Sequence, residues 1–304
     1  DWQAKGAKAT PPSFGEPAAP KGFAGNNREL APVGETRVLV EPDLPPSLLV
    51  ATLRPWNQVV DNIPYNQGLM TDAIAQAIIN RRLETRARAG GSFLSASVNT
   101  DKISRSADVT FMSVTPLGDD WKEALEDVRG VIADAMTRAP TQAEIDREVA
   151  ELDVAFQVPV EQERILPGSQ LADDLVNALD IRETVASPKD VLRIFRESRA
   201  LFTPQAVLDH TRGLFAGTVT RALFTTQEEG KVTATALRDA LIAPVEPDAT
   251  ARRVTNAEPV SFDTLPAIGT PAAPIADQPT GLLDIEELTD RKSTRLNSSH
   301  DQIS

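Results

Sequence analysis

The chain has 304 residues, of which 41% are hydrophobic and 25% charged, and its formal net charge is -13 at pH 7. Nucleic-acid binding depends on Lys and Arg that neutralise phosphates, so this acidic chain is not expected to bind nucleic acid, and no segment is typical of a membrane span. The absence of cysteine excludes disulfides, cysteine-ligated zinc and thiol catalysis, but it leaves the cellular compartment open.

Proline-rich stretches predict the domain boundaries. Residues 1 to 32 contain Pro, Gly and Ala without an apolar period, which indicates an extended segment at the end of a truncated preceding domain. Residues 244 to 280 predict a Pro-rich linker. Residues 33 to 243 lie between these stretches and are long enough for one domain with a sizeable core. Residues 281 to 289 are expected to begin a following domain that is cut off.

Residues 290 to 304 are expected to have a different origin from the rest of the chain. The stretch D-R-K-S-T-R-L-N-S-S-H resembles a sequencing-adapter oligonucleotide read in frame, so we expect the natural sequence to stop near Thr289. An ordinary polar, disordered tail is the alternative. The chain begins at Asp1 without an initiator Met, and we therefore expect an internal window of a longer protein.

Four short runs in the first half predict strands, because they are rich in β-branched, aromatic and other apolar residues: residues 36 to 41, 47 to 54, 92 to 99 and 107 to 115. The first two are joined by a tight, proline-containing connection. Residues 66 to 89 predict a long helix, since apolar pairs recur every four residues. The helix is expected to end at Gly90 and Gly91, where a left-handed conformation is easy for glycine.

N-terminal caps predict the helices of the second half. Asp119 can cap a helix whose apolar stripe begins at Trp121, and Thr141 with Glu144 forms a capping box. Ser187-Pro188 and Thr203-Pro204 each place a hydroxyl cap before a proline, and they predict helices near residues 188 to 200 and 204 to 214. A strand at 219 to 225 and a helix at 231 to 241 complete the domain.

The order of these elements favours an α+β fold. Strands come first as ββαββ, a run of helices follows, and a strand and a helix close the domain. Such separation predicts a mostly antiparallel sheet covered on one face by helices. A nucleotide-binding fold is not favoured, because strands and helices do not alternate and the sequence has neither G-x-G-x-x-G nor a Walker loop.

Histidine content limits the metal chemistry of the chain. His300 lies in the suspected adapter, which leaves only His210, whereas a catalytic zinc uses three protein ligands. We therefore predict no metal ligand and no catalytic residue. His210 is interpreted as a partly exposed structural side chain, because no G-x-S-x-G motif accompanies it. Adjacent acidic residues are interpreted as helix caps and solvated faces.

One basic cluster stands out in this acidic chain, at the end of the first long helix. The cluster consists of Arg81, Arg82, Arg86 and Arg88. Arg82 and Arg86 are four residues apart and share a helix face, and together with Arg88 they could contact a peptide carboxylate or carbonyl. The alternative is structural: cations at a helix C-terminus complement its dipole, and these can pair with Glu84.

Several short motifs occur in a fixed order along nearly the whole natural segment. They are Asp1-Trp2, Arg37-Val-Leu-Val-Glu-Pro, residues 48 to 56, Ala77-Ile-Ile-Asn-Arg-Arg-Leu-Glu-Thr-Arg-Ala-Arg, Trp121-Lys-Glu-Ala-Leu, Thr141-Gln-Ala-Glu-Ile-Asp-Arg-Glu, Ser187-Pro and Thr203-Pro-Gln-Ala-Val. In order and spacing they resemble the pitrilysin or insulinase-like family of zinc metallopeptidases. The resemblance implies the non-catalytic second domain of an N-terminal half, with the fold of the active domain but without zinc.

The resemblance also implies where the chemistry lies. In the family, zinc is held in the preceding domain by an inverted H-x-x-E-H motif and a downstream Glu, and nothing in this chain matches these ligands. The parent is expected to be a zinc metalloendopeptidase, while this chain alone is expected to be inactive and without a cofactor. It would pack on the active domain and form part of a chamber for peptide or protein substrates, which add as a strand to the active domain's sheet. A periplasmic or secreted location is implied.

One departure from the family pattern concerns substrate contact. Some members hold substrate through Arg and Tyr in a stretch like L-R-x-x-x-x-x-G-Y, but the positions that match from Leu83 carry Glu84 and Gly91. The cations Arg82, Arg86 and Arg88 are therefore not transferred from the family. Two alternatives remain open: a scaffold or assembly subunit that has lost its zinc site, and an autonomous peptide-binding module that uses the arginine cluster.

Overall fold

The structure is a computed structural model that describes residues 31 to 163, 167 to 180 and 183 to 252, together with three strands nearer the C-terminus. The chain divides into two units, Asp1–Arg253 and Val254–Ser304. The strands of the first unit are β1 (Val33–Val40), β2 (Ser47–Pro55), β3 (Phe93–Ile103), β4 (Ala107–Pro116) and β5 (Val219–Thr226). Its α-helices are α1 (Ile63–Arg88), α2 (Trp121–Thr137), α3 (Gln142–Gln162), α4 (Gly168–Asp180), α5 (Pro188–Glu197), α6 (Pro204–Phe215) and α7 (Ala234–Ile242).

The five strands form one sheet in the order β1-β5-β2-β4-β3. Three of its four pairings are antiparallel, and only β1 and β5 run parallel. This confirms the predicted α+β fold with a mostly antiparallel sheet. Strands β1 and β2 are joined by a short connection, as predicted, but β5 lies between them in the sheet, so they do not pair with each other.

The helices pack on one face of the sheet. Strand β2 alternates, with Leu48, Val50 and Thr52 buried while Leu49 is 38% exposed. The buried strand side chains join one core with α1 and α2, in which Ile74 and Val128 are fully buried. Among the described residues, the apolar cluster on the other face consists of strand side chains alone. The alternation of β2 therefore determines which face receives the helices.

Two helix boundaries show how local hydrogen bonds fix the elements. Helix α1 begins three residues before the predicted start, because Asn62 Oδ1 accepts a hydrogen bond from Tyr65 N at 3.0 Å. It ends as predicted before Gly90, whose φ is +89°. The predicted cap of α2 was wrong by one residue: Asp120 Oδ1 accepts from Glu123 N at 3.1 Å, and Asp119 pairs with Lys231 instead.

The other predicted caps are confirmed. Thr141 N donates to Glu144 Oε2 at 2.8 Å and Glu144 N donates to Thr141 Oγ1 at 3.2 Å, which completes the capping box of α3. Ser187 and Thr203 cap α5 and α6. Helix α4 was not predicted, although its leucines recur every four residues.

The second unit contains an antiparallel sheet of three strands in the order β6 (Ala276–Pro279), β7 (Ile285–Thr289) and β8 (Thr294–Ser298). Strand β7 lies in the segment predicted to begin a further domain, and β8 lies in the suspected adapter tail. The predictions for residues 1 to 30, for most of the linker and for His300 fall outside the described residues. The domain boundaries therefore stay predictions.

Candidate functional site

Arg82 lies at the centre of a buried ion network that joins three helices. It projects from α1, and its guanidinium is within 3.0 Å of Glu144 Oε1 on α3 and 3.6 Å of Asp134 Oδ2 on α2. Arg252 pairs with the same Asp134 carboxylate and donates to the carbonyl of Ala139 at 3.0 Å. The Arg82 side chain is only 4% exposed, so the network holds the helix layer together from inside.

The carboxylates and guanidinium groups of this network shift each other's pKa. Burial alone would raise the pKa of Glu144, but the Thr141 amide and the Arg82 guanidinium outweigh burial and hold that pKa below its ordinary value. Burial and the nearby positive charge of Arg252 lower the pKa of Arg82, and the carboxylates of Glu144 and Asp134 oppose this effect. Arg82 remains charged at neutral pH because an arginine titrates far above it. The arrangement is therefore an ion-paired structural centre.

Arg86 and Arg88 also have carboxylate partners. Arg86 is 2.7 Å from Asp127 Oδ1 and 3.1 Å from Asp248 Oδ2. Arg88 pairs with Glu84 one turn earlier, and its side chain is 75% exposed. Of the three arginines predicted for peptide contact, only Arg88 thus presents a largely accessible guanidinium. Peptide contact by Arg82, Arg86 and Arg88 stays a prediction, and the geometry gives each of them a structural partner.

The position where some family members carry a tyrosine is sterically narrow here. A Cβ at Gly91 would lie 3.0 Å from the Arg86 carbonyl oxygen and 3.2 Å from the Phe93 ring. Such separations are tighter than ordinary van der Waals contact. A larger side chain at Gly91 would require the α1–β3 connection to shift, which agrees with the departure from the family pattern at this position.

His210 and Asp72 form the second titratable pair of interest. His210 Nδ1 on α6 lies 2.7 Å from Asp72 Oδ1 on α1, and Asp72 lines an open cavity of about 980 Å³. Within the described residues, Asp72 is the only side chain hydrogen-bonded to His210. In the described part of the chain no hydroxyl group is hydrogen-bonded to the imidazole, so this pair lacks the third member of a hydrolase triad there. The geometry agrees with the predicted structural role of His210.

Two cationic groups of this cavity also have partners. Arg54 donates to the carbonyls of Leu214 and Ala216 and to Thr110 Oγ1, at 2.8 to 3.2 Å. Lys102 pairs with Glu183. Metal binding is a separate question. Across residues 31 to 163, 167 to 180 and 183 to 252, no cluster of three or more His, Asp or Glu side chains is placed to hold a metal ion. These residues therefore do not form a set of zinc ligands.

Asp72 controls the titration of His210. Its hydrogen bond raises the pKa of His210, and burial offsets only part of this rise. We expect Asp72→Asn to return the imidazole pKa toward its ordinary value of about 6.5, as measured by NMR titration. Asp209→Asn is the control, because Asp209 contributes only through a weaker charge interaction.

The same pair predicts a pH dependence of stability. A pKa raised by folding stabilises the native state below the unfolded pKa, and the contribution is lost as pH rises through the folded pKa. The free energy of unfolding should therefore fall more between pH 6 and pH 8 in the unsubstituted 304-residue chain than in its His210→Asn variant. Equal pH profiles for the two chains would contradict this assignment.

Comparison with known proteins bears on the fold. No family model matches the sequence, and no curated protein matches it either. The first half of the periplasmic protease PqqL from Escherichia coli shares 12% identity at a TM-score of 0.60, over 73% of this chain and 48% of that one. Complete PqqL gives a TM-score of 0.62 at 12% identity, with 90% of this chain and 31% of that chain covered.

A third solved structure is similar, a predicted insulinase family protease from Yersinia pestis. It gives a TM-score of 0.59 at 13% identity and covers 79% of this chain and 52% of that chain. The chain therefore has the fold of insulinase-family peptidases, which confirms the predicted resemblance at the level of fold. It spans about half the length of the first half of PqqL and of the Yersinia pestis structure, and 31% of complete PqqL. In the described part of the chain, no helix has both the length and the apolar character needed to cross a membrane.

Proposed function

We propose that this chain is a non-catalytic structural domain of a zinc-dependent metallopeptidase. The observation that carries the proposal is the fold shared with the first half of a periplasmic protease, of which this chain matches 48%. The described residues offer no ligand set for zinc, so the proposal assigns the metal to a domain outside this chain. Peptide-bond hydrolysis would then use ligands and a general base of that domain.

The buried charges support a structural role for this domain. Arg82 ties α1 to α2 and α3 through Asp134 and Glu144, and Arg86 adds a tie to Asp127. Such a rigid helix layer suits a domain that forms part of the wall of a chamber and packs on the zinc-bearing domain. A peptide or protein would be the substrate of the whole enzyme. The similarity to PqqL supports a periplasmic location.

The proposal predicts that this chain is proteolytically silent. The purified chain, incubated with an unstructured peptide and added zinc, should give no cleavage above the rate in buffer. The product of the full natural gene should cleave the same peptide, and a chelator should abolish the cleavage. Chelator-sensitive cleavage by the 304-residue chain itself would refute the silent-domain assignment.

The natural gene also separates the enzyme from the scaffold alternative. An intact H-x-x-E-H upstream of Asp1 would favour the metallopeptidase, because this motif supplies two histidine ligands and the general base. A related upstream domain without the motif, and without chelator-sensitive activity, would favour a scaffold or assembly subunit. The structural role proposed for this domain is common to both.

A further inference from the structure

Helix α4 turns its apolar face away from the domain. Its apolar side chains recur on one side of the helix, and none of its residues is buried. Four large ones lie on this face: Leu171, Leu175, Val176 and Leu179 are 51%, 45%, 64% and 64% exposed. A surface helix of a soluble protein normally turns this side toward the core. The exposed apolar face of α4, defined by these four residues, therefore indicates a missing partner.

The polar side of α4 faces the domain instead. Asn177 and Asp180 line the open cavity beside Tyr65 and Asp72 of α1. Asp180 lies 3.6 Å from Arg105 in the β3–β4 connection. The helix is thus oriented by polar contacts, and these contacts place its apolar face outward. A helix in this orientation is poised to receive an apolar surface from outside.

We propose that the apolar face of α4 docks on an apolar surface of another domain of the same, longer polypeptide. This inference rests on the proposed function, in which the chain packs on a zinc-bearing domain. The matched PqqL structure supports it, because this chain covers only 48% of what is itself the first half of that protease. The unmatched part of that structure is long enough for a second domain.

The size of the face favours a tethered partner over a second copy. A helix of 13 residues is about 20 Å long, and one of its faces buries far less than the roughly 1,200 Å² of a small specific interface. Two separate molecules would not associate stably through α4 alone. A domain in the same chain is held at a high effective concentration, so a small apolar face is sufficient to dock it.

The charge of α4 excludes another kind of partner. The helix carries Asp173, Asp174 and Asp180 and has no Lys or Arg. An amphipathic helix that binds an anionic membrane surface carries cations on its polar side. The docking surface should therefore be a protein surface that is apolar at its centre, with Lys or Arg at its rim to face Asp173 and Asp174.

The absence of cysteine makes this proposal directly testable. Val176→Cys would place a single thiol on the apolar face, and Gln170→Cys would place one on the polar side of the same helix as a matched control. Both would be made in this chain and in the full natural polypeptide freed of any cysteines of its own. The rate of maleimide labelling under native conditions would be measured for all four proteins, with and without vesicles of anionic lipid.

We expect Cys at position 176 to react at least about tenfold more slowly in the full polypeptide than in this chain, the factor given by a docking free energy of about 1.4 kcal/mol. The thiol of the Gln170→Cys control should react equally in both. Equal reactivity at position 176 would overturn the docking inference, and so would protection that appears in this chain with rising concentration or with vesicles. The proposed function is tested separately, by measuring whether the same full polypeptide cleaves a peptide and whether a chelator abolishes the cleavage.

Discussion

Replacing Arg82 with Ala should destabilise the domain by about 3 to 5 kcal/mol. The change removes the cation that faces Glu144 and Asp134, whose side chains are only 9% and 1% exposed. Glu144 would keep its contact with the Thr141 amide and Asp134 its pairing with Arg252, but each buried carboxylate would lose a cation without regaining water. For a domain of this size, the loss corresponds to about 2 to 4 °C in Tm for each kcal/mol.

The matched control is Arg88→Ala on the same helix. Arg88 and Glu84 form an exposed i,i+4 pair, and such pairs contribute about 0.3 to 0.5 kcal/mol. Urea denaturation followed by circular dichroism gives the free energy of unfolding of both variants. If Arg82→Ala costs no more than Arg88→Ala, the network does not hold the helix layer together. The double variant Arg82→Ala with Glu144→Ala then measures their coupling, which should exceed about 0.5 kcal/mol.

The partners of Arg82 illustrate what the sequence could not predict. The cluster of arginines at the end of α1 is visible in the sequence, and so is the capping box in which Glu144 takes part. The contact between Arg82 and Glu144 spans 62 positions, and the contact between Arg252 and Asp134 spans 118. Local periodicity carries no information on such pairs, because they depend on how whole helices pack.

The order of the strands in the sheet could not be predicted from local sequence either. Each strand was predicted from its own residues, since β-branched and aromatic side chains mark it locally. The insertion of β5 between β1 and β2 is a choice of register and partner over about 180 positions, as in the pairing of Arg37 with Leu223. Local signals also fail when two neighbours can do the same task, as Asp119 and Asp120 do at the start of α2.

Helix α4 was missed for a different reason. Its spacing of Leu171, Leu175 and Leu179 is a helical signal, but it lies between segments with stronger caps and was not used. The omission bears on function, because a strongly amphipathic helix that the domain does not cover is evidence for a surface that the domain shares with something else. The same pattern, weighed beside the caps, would have predicted the helix, whereas the exposure of its apolar face is visible only in the structure.

Phe195→Ala should have the second large effect, a loss of about 3 to 5 kcal/mol. Phe195 on α5 is fully buried, and its ring lies 4.9 Å from the Phe156 ring and 5.6 Å from the Phe202 ring, between centroids. Truncation removes the apolar surface of the ring and leaves a cavity among helices that can relax only in part. The two tilted aromatic contacts are lost as well.

Leu171→Ala is the control for Phe195→Ala, since it also removes a large apolar side chain but from the exposed face of α4. In this chain it should change the free energy of unfolding by no more than about 0.5 kcal/mol. In the full natural polypeptide it should cost more, because docking would bury the side chain. In the 304-residue chain, a loss for Phe195→Ala as small as that for Leu171→Ala would contradict the packing of α5 against α3. A loss for Leu171→Ala as large as that for Phe195→Ala would show instead that α4 is already covered.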